Sequence, residues 1–333
     1  MSHLAKPTKV KFIFGLAAFA LPFSPALANN DAAAIDAQIE TSPLLPDLTD
    51  PATEILSLEE DGHRRYTIPV TIDGAGPYNF MIDTGSQATA VTERITNQID
   101  LPLLGPATIV GMASRRVVDL VELDRFEVGT RTIHNIAAPV LQAQHVGADG
   151  IIGLDTLQDF RVLIDFRDET IAVAETNQSN STRGFEIVVR ARSKLGQLLI
   201  TNAVVEGVRA TVIIDTGAQA SLGNMALREK IRTRRAREQV KTTDVNGVSI
   251  TSDLTYARSL VIHGMELRNV PITYADTPAF DSLGLRDKPV LSLGMQHLKM
   301  FDRIAIDFTQ RRILFDLPRN VARAFRRAQD SSF

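Results

Sequence analysis

Two aspartates, each followed by Thr-Gly, are the residues of this sequence best suited to chemistry. Asp83 closes the apolar run 80–82, and Asp215 closes the matching run 212–214. An apolar run that ends in Thr-Gly predicts a buried strand followed by a tight turn, which leaves the carboxylate beside backbone N–H groups. One copy would be weak evidence, because Asp and Gly are common turn residues. The second copy makes the pattern an internal repeat, and two equivalent halves can bring one Asp each to a pseudo-twofold axis.

Two carboxylates brought together in this way have a defined chemistry. At a separation of about 3 Å both cannot ionise easily, so they share a proton, and the apparent pKa values belong to the pair. The ionised member can act as a general base on a water molecule, while the protonated member can polarise a carbonyl group and later help to protonate a leaving amine. The near equivalence of the two halves leaves open which Asp plays which part. This chemistry requires no covalent intermediate, metal or cofactor.

The repeat extends well beyond the two turns and predicts how they are positioned. Residues 151–157 are echoed by 291–298, and residues 164–166 by 306–308. Short strand patterns separated by turn signals dominate both halves. Strands at this spacing with few helices predict an all-β protein, with two β-barrel lobes related by a pseudo-twofold axis. Helices are predicted at 91–99, 224–239 and 320–329.

These patterns divide the chain into six segments. They are a signal peptide at 1–28, an acidic disordered tether or pro-segment at 29–61, a first lobe at 62–174, a linker at 175–183, a second lobe at 184–316 and a basic C-terminal tail or helix at 317–333. The acidic segment contains no Lys or Arg, which favours a tether over a segment that masks two acidic groups. Within it, residues 55–58 have the pattern of an edge strand.

The N-terminal segment has the three parts of a secretory signal. Lysines at 6, 9 and 11 precede an apolar run at 12–21, and Ala26-Leu27-Ala28 forms a small-x-small cleavage site. The apolar run is too short to span a bilayer, so we predict cleavage after Ala28 and no integral membrane span in the mature chain. No cysteine follows to carry a lipid anchor, and a secreted chain without cysteine fits a periplasmic or secreted location.

Composition argues against several other classes of protein. The chain has 333 residues, 44% of them hydrophobic and 23% charged, which suits two domains of ordinary size. Its formal net charge of −3 gives no reason to expect a nucleic-acid partner. Without cysteine there is no disulfide, thiolate metal site or thiol nucleophile, and the scattered histidines lack the spacing of a zinc site. The basic run 228–237 is interpreted as a solvated helix face, with a surface for anions as the alternative.

The ordered set of motifs resembles the aspartic protease superfamily, pepsin-like enzymes included, and is most similar to its bacterial retropepsin-like members. Residues 83–86 with the predicted helix at 91–99 match their first block. Residues 150–157 followed by 160–166 match their last block. The resemblance covers residues 66–315, which is nearly all of the mature chain.

The resemblance implies roles for the residues of a cleft between two lobes, each of which contributes one catalytic aspartate. The catalytic pair would be Asp83 and Asp215. Residues expected to support the two catalytic turns are Thr84, Gly85, Ser86, Thr216, Gly217, Ala218, Gly153 and Gly294. Among these, Thr84 and Thr216 would hydrogen-bond across the pseudo-dyad, and the last two glycines would pack behind the turns.

Hairpin flaps that cover the substrate are also implied. The flap residues would be Gly111, Met112, Asn246 and Gly247. No tyrosine lies between 110 and 123, where pepsin-like enzymes carry a flap tyrosine, so the resemblance points to the retropepsin type with one flap per lobe. The second glycine motif departs from the pattern, because the polar Ser292 precedes Leu293-Gly294.

The function implied is an aspartic-type endopeptidase that hydrolyses peptide bonds of extended protein segments, with a protein or peptide as its partner and no cofactor. A non-catalytic periplasmic peptide-binding protein on the same fold is the alternative, because function lives in the site rather than in the fold. Two intact Asp-Thr-Gly turns favour the enzyme. A dimeric protease is a third interpretation, but one chain already holds both halves, so we expect a monomer that acts as a pseudo-dimer.

Overall fold

The structure is a computed structural model that describes residues 66–175, 182, 184–231, 238–319 and 321–322, together with four short strands nearer the N-terminus. The strands of the first half are β1 Lys11–Ile13, β2 Phe19–Ala20, β3 Thr53–Ser57, β4 Glu59–Glu60, β5 Tyr66–Ile72, β6 Ala75–Ile82, β7 Ala90–Thr92, β8 Leu103–Val110, β9 Arg115–Val128, β10 Arg131–Leu141, β11 Gly150–Ile152, β12 Phe160–Asp165 and β13 Thr170–Glu175. Those of the second half are β14 Ile187–Arg190, β15 Arg192–Lys194, β16 Gln197–Val205, β17 Val208–Ile214, β18 Leu222–Gly223, β19 Glu238–Thr243, β20 Ser249–Ile262, β21 Met265–Tyr274, β22 Val290–Leu293, β23 Arg303–Asp307 and β24 Arg312–Asp316. The helices are α1 Glu93–Thr96, α2 Ala143–Val146, α3 Leu154–Leu157, α4 Met225–Lys230, α5 Pro278–Ser282 and α6 Met295–Leu298.

The first lobe is a nine-stranded sheet that closes on itself. Its strand order is β1-β8-β9-β10-β7-β11-β6-β5-β4, and β5 pairs in addition with β9 to close the barrel. Along β5 the side chains of Ile68, Val70 and Ile72 are buried while the side chain of Pro69 is exposed. This alternation is what a strand with one face in the core requires.

The second lobe repeats this arrangement. Its strand order is β15-β16-β17-β22-β18-β21-β20-β19-β2, and β16 pairs in addition with β20. The parallel pairing of β17 with β22 corresponds to the parallel pairing of β6 with β11 in the first lobe. The predicted all-β class with two barrel lobes is therefore confirmed.

A third sheet of six strands joins the two lobes. Its order is β14-β24-β23-β12-β13-β3, so that strands from both halves of the chain lie side by side. In the antiparallel pairing of β12 with β23, Arg161 lies opposite Asp307 and Asp165 lies opposite Arg303. Ile164, on β12, belongs to the main hydrophobic core. Hydrogen bonding across this sheet therefore fixes the lobes relative to each other.

Each lobe also carries a long hairpin, which we call flap 1 and flap 2. Flap 1 consists of β8 and β9 with its tip at 111–114, and flap 2 consists of β19 and β20 with its tip at 244–248. Two strands of the predicted signal peptide lie along these hairpins: β1 pairs in parallel with β8, and β2 pairs antiparallel with β19.

Two of the predicted helices are wrong in their extent. In place of a helix at 91–99, Val91 lies in β7, where it pairs with Val140 and Gly150, and helix α1 begins only at Glu93. In place of a helix at 224–239, α4 ends at Lys230 and β19 begins at Glu238. In both cases sheet pairing overrides local helix propensity.

Other expectations fall partly or wholly outside the described residues. Most of the predicted linker at 175–183 and of the C-terminal helix at 320–329 lies there, as do residues 232–237 of the basic run. The edge-strand pattern at 55–58 corresponds to β3, which pairs with β13 at the edge of the shared sheet. None of the described helices has the length and apolarity needed to cross a membrane.

Candidate active site

The two Asp-Thr-Gly turns face each other where the lobes meet. Asp83 and Asp215 are both fully buried. A Cβ atom built on Gly85 would lie 2.7 Å from Asp215 Oδ1, and one built on Gly217 would overlap the carboxyl group of Asp83. Each carboxylate therefore packs against the glycine of the opposite turn, in a space that a larger residue would fill.

The neighbouring strands hold each aspartate at the end of its own strand. The backbone N–H of Asp83 donates to Ile152 O at 3.0 Å, and that of Asp215 donates to Leu293 O at 3.1 Å. These bonds continue the parallel pairings of β6 with β11 and of β17 with β22. The apolar residues before Gly153 and Gly294 thus set the positions of the two Asp-Thr-Gly turns, which explains why the turn and the glycine motif recur together.

Backbone N–H groups of the turns hold the carboxylates in place. Asp83 Oδ1 accepts hydrogen bonds from the backbone N–H groups of Gly85 at 2.8 Å and Ser86 at 3.1 Å. Asp215 Oδ1 accepts one from the backbone N–H of Ala218 at 3.1 Å. Such donors orient a carboxylate without placing a positive charge beside it.

Thr84 and Thr216 lock the two turns together by reciprocal hydrogen bonds. The backbone N–H of Thr84 donates to Thr216 Oγ1 at 3.0 Å, and that of Thr216 donates to Thr84 Oγ1 at 3.2 Å. Each hydroxyl in turn donates to a carbonyl of the opposite lobe: Thr84 to Ile214 O at 2.8 Å and Thr216 to Ile82 O at 2.7 Å. The relative position of the two aspartates is thus set by four buried hydrogen bonds between lobes.

The glycines Gly153 and Gly294 lie directly behind the turns. A Cβ atom on Gly153 would overlap the backbone of Ala88, and one on Gly294 would lie 2.5 Å from Ala220 O. Only a residue without a side chain allows this close approach of two backbone segments.

Burial and mutual repulsion raise the pKa of Asp215 well above its ordinary value. The larger cause is removal of the carboxyl group from water, and the second is the nearby charge of Asp83. The hydrogen bonds that Asp215 accepts act in the opposite direction. An arrangement of this kind favours one proton shared by the pair.

Ser292 contacts the pair and was missed as a site residue by the sequence analysis. Its hydroxyl donates to Asp215 Oδ2 at 2.9 Å from strand β22. The hydroxyl of Ser86 in the first turn does not reach its own aspartate but donates to Ala88 O at 2.9 Å. The signal was present, because a polar Ser292 stands where Ile151 occupies the first copy of the motif.

Gln197 is a second missed residue. Its buried side chain comes from β16 of the second lobe, and its Nε2 donates to Gly85 O of the first turn at 2.6 Å. This bond joins the first Asp-Thr-Gly turn to the opposite lobe. Nothing in the local sequence around Gln197 indicated such a contact.

The four predicted flap residues all lie in the flap tips. Gly111 and Met112 belong to the tip of flap 1, while Asn246 and Gly247 belong to the tip of flap 2. Within the described part of the chain, no group of three or more His, Cys, Asp or Glu side chains is arranged to hold a metal ion.

His297 is a buried titratable group behind the second turn. Its Nδ1 lies within hydrogen-bonding distance, 2.7 Å, of Ser221 Oγ, and the same oxygen accepts a hydrogen bond from the backbone N–H of Gly294. Burial lowers the pKa of His297 to about 4. The matching position of the first lobe holds Thr156, whose hydroxyl lies 2.7 Å from that of Thr89.

We expect His297 to make the fold sensitive to acid. Because its pKa falls from 6.5 in the unfolded chain to about 4 in the folded protein, the unfolded state binds the proton more tightly. The free energy of unfolding should therefore fall by about 3 kcal/mol as the pH drops from 6.5 to 4, and level off below that. Thermal unfolding followed by circular dichroism across this range tests the slope. In His297→Thr, which copies the first lobe, this part of the pH-dependent loss of stability should be absent. An unchanged pH dependence of the unfolding free energy would contradict the role given to His297.

Comparison with known proteins agrees with this geometry. A family model described as aspartyl protease matches residues 68–156 and 201–296, which together make up more than half of the chain. Each matched region contains one Asp-Thr-Gly turn and the glycine motif behind it. No curated protein matches the sequence.

Proposed function

Because the chain belongs to the aspartyl protease family, we propose that it is an aspartic-type endopeptidase that cleaves extended protein segments with a water molecule activated by Asp83 and Asp215. The observation that carries this proposal is the packing of each carboxylate against the glycine of the opposite turn. Two buried carboxylates joined in this way form a general acid and a general base within reach of one substrate carbonyl.

The raised pKa of Asp215 favours it as the member that holds the proton in the free enzyme. Asp83 is then the ionised base, held in place by the backbone N–H groups of Gly85 and Ser86. Asp83 removes a proton from water as the water oxygen attacks the peptide carbonyl, and Asp215 donates its proton to the carbonyl oxygen. When the C–N bond breaks, the proton on Asp83 passes to the leaving amine and Asp215 recovers its own from the tetrahedral intermediate.

Removal of the Ser292 hydroxyl is expected to shift the pH profile in a defined direction. The hydrogen bond from Ser292 favours the charged form of Asp215, so Ser292→Ala should raise the pKa of Asp215 further. Since Asp215 must carry its proton, the alkaline limb of the kcat/KM profile should move to higher pH. Ser292→Thr keeps the hydroxyl and should restore the profile. If instead the acid limb of Ser292→Ala moves to higher pH while the alkaline limb stays in place, Asp215 is the base and the assigned roles are reversed.

An extended peptide is the substrate class that the flap edges support. The chain's own β1 pairs in parallel with β8 of flap 1, and its β2 pairs antiparallel with β19 of flap 2. A single extended peptide that crosses a pseudo-twofold axis must run parallel to one flap and antiparallel to the other. Backbone pairing of this kind contributes affinity without selecting a sequence.

Side-chain selection can come from the cleft beside the flaps. A cavity of about 270 Å³ lies between β9, the end of β10 and the tip of flap 2, and Val117, Val140 and Val245 are among its lining residues. Arg116 and Asp119 give its rim both signs of charge. A pocket of this size accepts one large side chain.

The proposal includes export of the protein from the cytoplasm and activity as a single chain. Residues 1–28 support secretion to the periplasm or beyond through their basic, apolar and small-residue parts. The presence of both aspartates in one chain supports a monomer that acts as a pseudo-dimer.

The direct test is cleavage of an unfolded protein and a mixed peptide library from about pH 3 to 7 by the chain starting at Asn29. Mass spectrometry of the fragments gives the cleavage sites and the preferred residues. We expect internal cuts and an acidic optimum. A folded chain that binds peptides but cuts none at any pH would instead support a peptide-binding protein.

A further inference from the structure

The tips of the two flaps are exchanged between the lobes. Met112, at the tip of flap 1, is 1% exposed and belongs to an apolar cluster of the second lobe that includes Ile213 and Phe280. Val245, at the matching place in flap 2, is 2% exposed and belongs to a cluster of the first lobe with Leu141 and others. Each flap therefore ends in the opposite lobe, and neither can lift without exposing an apolar side chain.

A single carboxylate ties the two tips together. Asp244 of flap 2 is fully buried, and its Oδ2 accepts hydrogen bonds from the backbone N–H of Ala113 at 3.0 Å and the hydroxyl of Ser114 at 2.8 Å, both in flap 1. Its Oδ1 accepts from the backbone N–H groups of Asn246 at 3.0 Å and Val248 at 2.9 Å within its own tip. One side chain thus shapes its own turn and binds the other flap.

The two halves of the repeat differ at this place in a complementary way. Gly111 in flap 1 stands where Asp244 stands in flap 2, directly after the first flap strand. A Cβ atom on Gly111 would lie 2.6 Å from Asp244 Oδ2. Flap 2 provides the carboxylate, and flap 1 provides the hydrogen-bond donors and the space beside Gly111. The contact therefore requires the two flap tips to differ in sequence.

We propose that Asp244 is a positioning residue that latches flap 1 to flap 2, so that the flaps open and close as one cover over Asp83 and Asp215. The latch is closed in a structure where strand β1 pairs with flap 1 and strand β2 pairs with flap 2. It therefore acts on the state in which a peptide is held. The latch is a conformational contact, but its effect on catalysis rests on the proposed endopeptidase activity.

Asp244→Asn keeps the size of the side chain and removes one of its two acceptor oxygens. The substituted amide cannot accept from both Ala113 and Ser114 and serve its own turn, so the closed state is weakened. We expect KM for a peptide substrate to rise about tenfold, with kcat reduced by less than about threefold, because the charge-assisted hydrogen bonds that keep the flaps closed over the peptide are lost while the dyad is untouched.

Asp253→Asn is the matched control, since Asp253 is an exposed residue of the same hairpin. It should leave both constants unchanged. Gly111→Ala disturbs the same contact from the other flap and should reproduce the rise in KM. If both variants act on one contact, KM of the double variant Gly111→Ala with Asp244→Asn should not exceed the higher KM of the two single variants. Additive increases in KM would overturn the latch.

A distance measurement tests the latch without relying on catalysis. The chain contains no cysteine, so spin labels can be attached to Val117→Cys in flap 1 and Val248→Cys in flap 2, both at exposed positions. In double electron–electron resonance, the control should give a narrow distribution, and Asp244→Asn should give a broader one with a longer mean distance. Identical distributions would refute the latch even if the protein cleaves peptides. A widened distribution in a protein that cleaves nothing would retain the latch and reject the endopeptidase.

Discussion

Replacement of either Asp83 or Asp215 by asparagine is expected to abolish peptide cleavage and leave the protein folded. An amide can neither take a proton from water at neutral or mildly acidic pH nor donate one to the carbonyl oxygen as a carboxyl group does. We expect kcat/KM to fall by about three orders of magnitude or more for each single variant, because both halves of the acid–base pair are needed. Hydrolysis of a reporter peptide found in the library screen measures the loss.

The same variants should retain or gain stability. In the folded protein the pKa of Asp215 is raised by burial and by the charge of Asp83, so an ionised pair costs free energy above the ordinary carboxyl pKa of 3.8. Asp215→Asn removes the group whose raised pKa carries this cost, and its Tm at pH 7 should equal or exceed that of the unmodified protein. Asp253→Asn serves as the control with full activity. Residual activity near the normal level in either dyad variant would contradict the paired mechanism.

Replacement of Thr84 by valine is expected to destabilise the protein by removing hydrogen bonds that join the two lobes. Valine keeps the shape but loses the hydroxyl that donates to Ile214 O and accepts from the backbone N–H of Thr216. Two buried backbone groups are left without these partners, and each such group costs about 1–3 kcal/mol. The free energy of unfolding should fall by about 3 kcal/mol, and kcat/KM by about tenfold or more, because the two turns lose their alignment.

Thr84→Ser supplies the control for this prediction. Serine retains the hydroxyl and loses only a methyl group, so its unfolding midpoint in urea should lie close to that of the unmodified protein. A small and equal loss in both variants would mean that the methyl group, rather than the hydrogen bonds between lobes, stabilises the turns.

The repeat in the sequence was sufficient to predict two β lobes with one Asp-Thr-Gly turn each. This succeeded because the signals are local: an apolar strand, a Thr-Gly turn and, later, an apolar pair before Gly153 or Gly294. The helix predictions failed where a local signal competes with the sheet. Val91 is β-branched and pairs on two sides, which strand structure allows and a helix does not.

The contacts that join the lobes could not be predicted in the same way. Ser292, Gln197 and Asp244 act across large separations in sequence, and their partners depend on the register of strands that the sequence alone does not specify. Ser292 left a trace as a polar residue within an apolar motif. Asp244 is also visible in the sequence as a difference between the two copies of the flap tip. Such a difference does not indicate which residues the side chain contacts.

The six-stranded sheet between the lobes has a consequence for how the rate of the proposed reaction should depend on protein concentration. A protease assembled from two separate chains loses activity on dilution, because its carboxylates part when the chains dissociate. Here β12 and β23 are hydrogen-bonded neighbours in one polypeptide, so dilution cannot separate Asp83 from Asp215 by dissociation of chains. The rate is therefore expected to remain proportional to the protein concentration however dilute the solution, and a cell that makes few copies would lose none of the activity of each copy.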